Sequence, residues 1–160
     1  MNLTHLHLLI THLPIYGSVL GTLVLVYGMI TKSSPTKIAA YYVLVIAAIG
    51  GVIAFSTGEP AEETVEKIQG VGKSLIEEHE EFAKSTLVAI ITLGFFSIAG
   101  IYFTLKKLSL AKPIATIVLI ISLVCFGMTS WTGYLGGQIR HTEIGPGATS
   151  QGQDKAQNDD

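Results

Sequence analysis

Three of the five histidines in this 160-residue sequence stand within its first twelve positions, in His5-Leu6-His7-Leu8-Leu9-Ile10-Thr11-His12-Leu13-Pro14, at the mouth of a long apolar run. Imidazole is costly to bury unless it finds a hydrogen-bond partner or a metal, and ionisable groups at membrane depth are functional candidates by default. On a single helix His5 and His12 share a face, while His7 points about 140° away from His12. Such a helix offers imidazoles to two different neighbours. The bland alternative leaves His5 and His7 solvated ahead of the helix and has His12 bond a carbonyl across it. The choice depends on whether the rest of the chain brings partners to the same place.

Hydrophobic residues make up 49% of the chain and charged residues 14%. That is a membrane composition, and the lipid bilayer is the first partner it implies. A net charge of −2 offers no basic patch, and no helix-turn-helix, RNA-binding or Walker-type motif is present, so no nucleic-acid partner is expected. The lone Cys125 lies in an apolar run, where packing is the expected role, and it supplies neither a disulfide framework nor a thiolate metal site. The N-terminus lacks the positive region of a signal peptide, so its apolar run is expected to be retained as a span.

Four apolar stretches, about residues 8–30, 38–57, 83–105 and 113–139, each approach the roughly 20 residues that a bilayer core requires. Backbone groups in lipid must be satisfied within the segment, and nothing alternates like a barrel strand, so these are helices. The fold class expected is all-α, an antiparallel four-helix bundle within a transmembrane domain of residues 1–144, followed by a disordered polar tail of residues 145–160. Lysines crowd the short first and third connections, Thr31 to Lys37 and Lys106 to Lys112, which places both in the cytoplasm and both termini outside. The connection between the second and third spans is acidic. Pro60 opens a short helix there with Glu62, Glu63 and Glu66 near its positive end, and Gly70 and Gly72 break it. A further helix from about Ser74 then runs into the third span, carrying His79 above the membrane.

Every histidine thereby falls at one membrane face: His5, His7 and His12 on the first span, His79 ahead of the third and His141 after the fourth. Counted upward from the inner lysines, His5, His7, His79 and His141 all lie near 40 Å, and His12 roughly 10 Å deeper. Histidines from facing helices are how a four-helix bundle holds haem or a bare metal. Haem also needs a slot, which Gly17, Gly21, Gly58, Gly133, Gly136 and Gly137 could supply, and a cation for its propionates, for which Arg140 is placed. Glycine is equally common where membrane helices simply pack closely. A non-haem Cu, Zn or Fe site completed by Glu59, Glu62, Glu63, Glu78 or Glu80 is the competitor, although no Glu-x-x-His or His-Glu-x-x-His spacing supports it.

The stretch His7 to Pro14 resembles the His-Pro-x-x-Val-His-Phe-Pro opening of a family of four-span bacterial membrane proteins grouped as a domain of unknown function. Thr57-Gly58-Glu59, Glu78-His79-Glu80 and Thr132-Gly133-Tyr134-Leu135-Gly136-Gly137 with His141 beyond are similar to its later signatures, so the likeness runs as far as Ile144. Leu8 and Leu13 depart from it, where the family often has Pro and Phe; without that first Pro the backbone is freer to stay helical through His7. The resemblance implies a haem-binding, b-type-cytochrome-like protein of the bacterial inner membrane. The reading is therefore an electron-transfer or anchoring module with haem b at the outer face, exchanging electrons with a periplasmic or respiratory redox partner, rather than a self-contained enzyme. His12 and His79 rank first as ligands, then His7 and His141. A purely structural subunit, its histidines only bonding across the bundle, is the remaining alternative.

Overall fold

The structure, a computed structural model, describes residues 3–58 and 73–140. Helices α1 (Leu3–Ile10), α2 (His12–Ile30), α3 (Ser34–Ser56), α4 (Lys73–Leu105) and α5 (Ala111–Arg140) form an all-helical four-helix bundle. Four helical stretches, His5–Ile30, Ser34–Ser56, Lys73–Leu105 and Ala111–Ile139, are long and apolar enough to cross a membrane. The first includes α1 and α2, which meet at Thr11. Pro14 explains that junction: its ring leaves Ile10 without the usual donor four residues on and crowds that carbonyl. Thr11 still donates its backbone N–H to the His7 carbonyl at 3.0 Å, so the chain turns there without unwinding. As expected, α4 runs unbroken from its polar start into the membrane, with His79 two turns along it. The Pro60 segment with its glutamates, His141 and the polar tail lie outside the described residues.

The helices close a ring in which α2 packs on α3, α3 on α4, α4 on α5, and α5 back on α2. That leaves α2 and α4 as one diagonal of the bundle and α3 and α5 as the other. Small residues make the contacts. A Cβ on Gly17 would lie 2.6 Å from the Ala47 Cβ, and one on Gly100 would lie 2.7 Å from the Tyr41 ring. Gly17 and Gly21 therefore serve close packing of α2 on α3, against Ala47 and Leu44, rather than a cofactor slot. The core cluster holds Leu25, Ala40, Tyr41, Leu44, Leu93, Val118 and Cys125, the thiol buried as expected. Leu20, Leu23, Ile91, Phe95 and Leu123 are exposed. This arrangement suits lipid, which solvates large aliphatic side chains as well as a core does, so close approach of small residues drives helix association.

Both short connections at the lysine-rich end use the same device. Lys32 N–H bonds the Met29 carbonyl and Ser33 N–H the Gly28 carbonyl; Lys107 N–H bonds Thr104 and Leu108 N–H bonds Phe103. These are Schellman turns, which satisfy the last carbonyls of α2 and α4. Lys32 (φ 55°) and Lys107 (φ 53°) occupy the left-handed position where glycine is usual. A lysine there costs about 1 kcal/mol of backbone strain but sets a cation against the negative end of each helix. After the first turn Ser33 caps α3 by accepting from the Thr36 N–H, with Pro35 in the first turn.

Candidate functional site

At the end of the bundle opposite those turns lies a cavity of about 1120 Å³ whose wall includes His7, His12 and His79. His7 and His79, which residue counting places at one level, thus do line one space, and His12, counted deeper, lines it with them. His5 is exposed and is not part of the wall.

Each of the three imidazoles is held the same way. His7 Nδ1 lies 2.9 Å from the Ala54 carbonyl and 3.2 Å from Thr57 Oγ1. His79 Nδ1 lies 3.1 Å from the Thr132 carbonyl. His12 Nδ1 lies 3.0 Å from the Leu8 carbonyl of the preceding turn. A carbonyl can only accept, so in each neutral ring Nδ1 carries the proton and Nε2 keeps its lone pair. That is the arrangement by which a second-shell acceptor orients a metal-ligating histidine and raises its basicity.

The three differ in what surrounds them. His7 bonds across to α3, where Ala54 offers one of the helix's last carbonyls, and a histidine N–H is a suitable cap for it. His79 bonds across from α4 to α5. α1, which leads into α2, and α4 stand on one diagonal of the bundle, so the two rings reach the cavity from opposite sides. His12 is exposed, stacks on Tyr16 at a centroid distance of 6.1 Å, and finds its partner within its own helical stretch. His12, counted roughly 10 Å deeper than the other histidines, thus has a hydrogen-bond partner in its own helical stretch.

Two threonines to which the sequence reading gave no role, Thr57 and Thr132, hold these rings. Thr57 supplies the hydroxyl beside His7, and a Cβ on Gly58 would sit 3.6 Å from the His7 ring. Thr132 supplies the carbonyl for His79, its own hydroxyl meets Thr86 Oγ1 at 3.0 Å, and a Cβ on Gly136 would lie 3.2 Å from the His79 ring. Gly136 thus lets the imidazole lie close against α5. Gly58, Gly133, Gly136 and Gly137 all line the cavity, so of the glycines proposed for a slot these four are placed to serve it. Trp131 and Tyr134 pack together with centroids 5.3 Å apart on an exposed face, as an interfacial belt would.

The sequence reading missed Lys84. It lines the cavity one turn beyond Glu80 and pairs with that carboxylate at 2.8 Å. The i, i+4 spacing Glu80-Lys84 was the available signal. Arg140 ends α5 at this level, but its side chain, like all of His141, lies outside the described residues. Among the described residues no three His, Cys, Asp or Glu side chains converge to hold a metal ion.

No curated protein and no solved structure matches the chain. The profile of one family, described as "Predicted membrane protein (DUF2231)", matches residues 4–143. Covering nearly all of the four-span bundle together with the histidine cavity, that match shows that the chain belongs to the DUF2231 family of predicted membrane proteins.

Proposed function

We propose that this multi-pass membrane protein binds haem b in the histidine-lined cavity and works as a b-type-cytochrome-like electron-transfer or anchoring module. The observation that carries the reading is that His7 of α1 and His79 of α4 both line one cavity with Nδ1–H tied to a carbonyl and the Nε2 lone pair left to ligate. The space is large enough for a macrocycle: about 1120 Å³ exceeds the roughly 300–1,000 Å³ of ordinary small-molecule clefts, and five glycines, Gly51 among them, thin its wall. His12 is the alternative partner for His79, and His141 a further one. Haem would supply one-electron transfer. The chain's part is to orient the two imidazoles through Ala54 and Thr132, and to exclude water from the ring with Ile15, Ile76, Leu87 and Ile90. Arg140, and Lys84 beside its partner Glu80, are cations near that level that propionates could meet. A bare Cu, Zn or Fe ion is less favoured, since the described residues present no three-ligand cluster.

A visible spectrum of protein purified from haem-replete membranes tests the reading. A Soret band with a pyridine haemochromogen of haem b is expected. Bound metal without a Soret band would replace it with the bare-ion reading. Absence of both would favour a structural subunit, for which the cross-bundle bonds of His7 and His79 already provide a rationale.

The lysine-rich turns at the opposite end argue that the cavity faces away from the cytoplasm, with both termini on its side. Reporter fusions at the C-terminus should give an extracytoplasmic signal, and a cytoplasmic one would reverse the orientation. Between the lysines at the inner ends and the outer third of the spans no histidine or charged side chain occurs, so electrons would enter and leave on the outer side, through a periplasmic or membrane-bound redox partner.

A further inference from the structure

The lysine-rich end of the bundle carries a pocket of its own, about 400 Å³, between α3, α4 and α5. Its wall includes Ser34 and Lys37 of α3, Thr104 of α4, Lys107, Leu108 and Ser109 of the connecting turn, and Ala111 and Lys112 in the first turn of α5. From this we infer that the pocket binds the phosphodiester headgroup of an anionic phospholipid.

Lysines at the ends of membrane helices are expected for topology alone, so their number carries nothing. Their convergence does. Five lysines stand at this end, Lys32, Lys37, Lys106, Lys107 and Lys112, and three of them line one pocket. The Lys37 stem is fixed at the crossing of α2 and α3: a Cβ on Gly28 would lie 2.9 Å from the Lys37 nitrogen and 3.0 Å from its Cγ. Lys107 is fixed by its turn, and Lys112 by the start of α5. Like charges gathered this way repel unless an anion sits among them, and the chain has none to offer from its own neighbourhood. No Asp or Glu occurs in residues 1–58 or 82–142. Among the described residues the ion pair found is Lys84 with Glu80, at the other end of the bundle.

The rest of the wall sets polar groups beside the apolar Leu108 and Ala111, as the junction of a headgroup with its chains requires. Ser34 and Ser109 offer hydroxyls. Thr104, only 5% exposed, adds a hydroxyl to the wall beside that of the buried Tyr41. Both α3 and α5 begin at this pocket, so the positive ends of two helices add to the lysines. The site stands where four spans end, which is the depth of lipid headgroups, and basic pockets between helices at that level take anionic lipid. A headgroup arrives there tethered, whereas a soluble anion does not.

The test is made on full-length protein reconstituted in phosphatidylcholine vesicles, with trace spin-labelled phosphatidylglycerol or spin-labelled phosphatidylcholine. The fraction of motionally restricted label is read by electron paramagnetic resonance. The wild type should restrict phosphatidylglycerol severalfold more than phosphatidylcholine. Each pocket lysine lost should lower that preference by up to about fivefold, so Lys37→Gln, Lys107→Gln and Lys112→Gln together should remove it. The pair Lys32→Gln and Lys106→Gln, at the same face outside the pocket, should leave most of it. Equal loss in both variants would assign the effect to diffuse surface charge and overturn the site, as would a wild type without preference. Displacement of the labelled lipid by inorganic phosphate at constant ionic strength would show a free-phosphate site and overturn the lipid assignment.

Discussion

Purified His79→Ala is expected to retain less than about a tenth of the haem carried by the wild type, and His7→Ala to lose a comparable share. Removal of an outer-shell partner of a metal-bound histidine already costs roughly 10–100-fold in affinity, so removal of the ligating ring itself should exceed that. His12→Ala should keep most of its haem, because that ring is exposed and bonded within its own helical stretch. Haem per protein by pyridine haemochromogen is the measurement, with circular dichroism to confirm that the helices remain. Loss of fold is not expected to mimic the result in His7→Ala, since the Ala54 carbonyl also accepts from the Thr57 N–H at 3.2 Å and its hydroxyl at 3.0 Å. The alternative pairing makes the opposite forecast: if His12→Ala is emptied and His7→Ala is not, His12 is the partner of His79. Full retention in both His7→Ala and His79→Ala would remove the proposed site altogether.

The second large effect belongs to the scaffold. Gly17→Leu should destabilise the bundle by about 3 kcal/mol, the upper end of the usual cost of overpacking. The atom in the way is the Ala47 Cβ at 2.6 Å, with the Ala47 Cα at 3.3 Å behind it. Neither is the end of a flexible side chain, so α2 and α3 must move apart. Gly100→Leu meets the fully buried Tyr41 ring and should cost a similar amount. Gly127→Leu is the control, because nothing lies within 4 Å of a Cβ there. It should leave the stability unchanged or raise it slightly, since Leu is the better helix former by about 0.8 kcal/mol. Thermal melts in a mild detergent compare the three. A Gly17→Leu protein that melts with the wild type would mean that α2 and α3 do not meet at this face.

The two sets of variants read different links of one chain of causes. Glycine positions decide how close the helices come. That spacing decides whether rings on α1 and α4 reach one cavity. Gly136 belongs to both, because a Cβ there would stand 3.2 Å from the His79 ring. A bundle loosened at Gly17 should therefore also lose haem, whereas His79→Ala should lose haem with the helices intact.

Length and composition by themselves determined the four spans and their helical state. Lipid offers no hydrogen bonds, so an uncharged run of some twenty residues has one structure open to it. The same reasoning placed every histidine at one end and ran α4 through His79 into the membrane. Which faces meet was not legible. Lipid is as apolar as leucine, so hydrophobicity has no inward direction, and the large side chains of Leu20, Leu23 and Phe95 point out while Ala47, Gly94 and Ser97 point in. Only tertiary structure showed that Gly17 and Gly21 serve helix contact while Gly58, Gly133, Gly136 and Gly137 line the cavity. It also separated the histidines. A residue count gives height along a helix, but a ring's partner depends on its azimuth and on which helices adjoin. Those are set by the closing of α2, α3, α4 and α5 into a ring, which places His7 against Ala54, His79 against Thr132, and leaves His12 to its own turn.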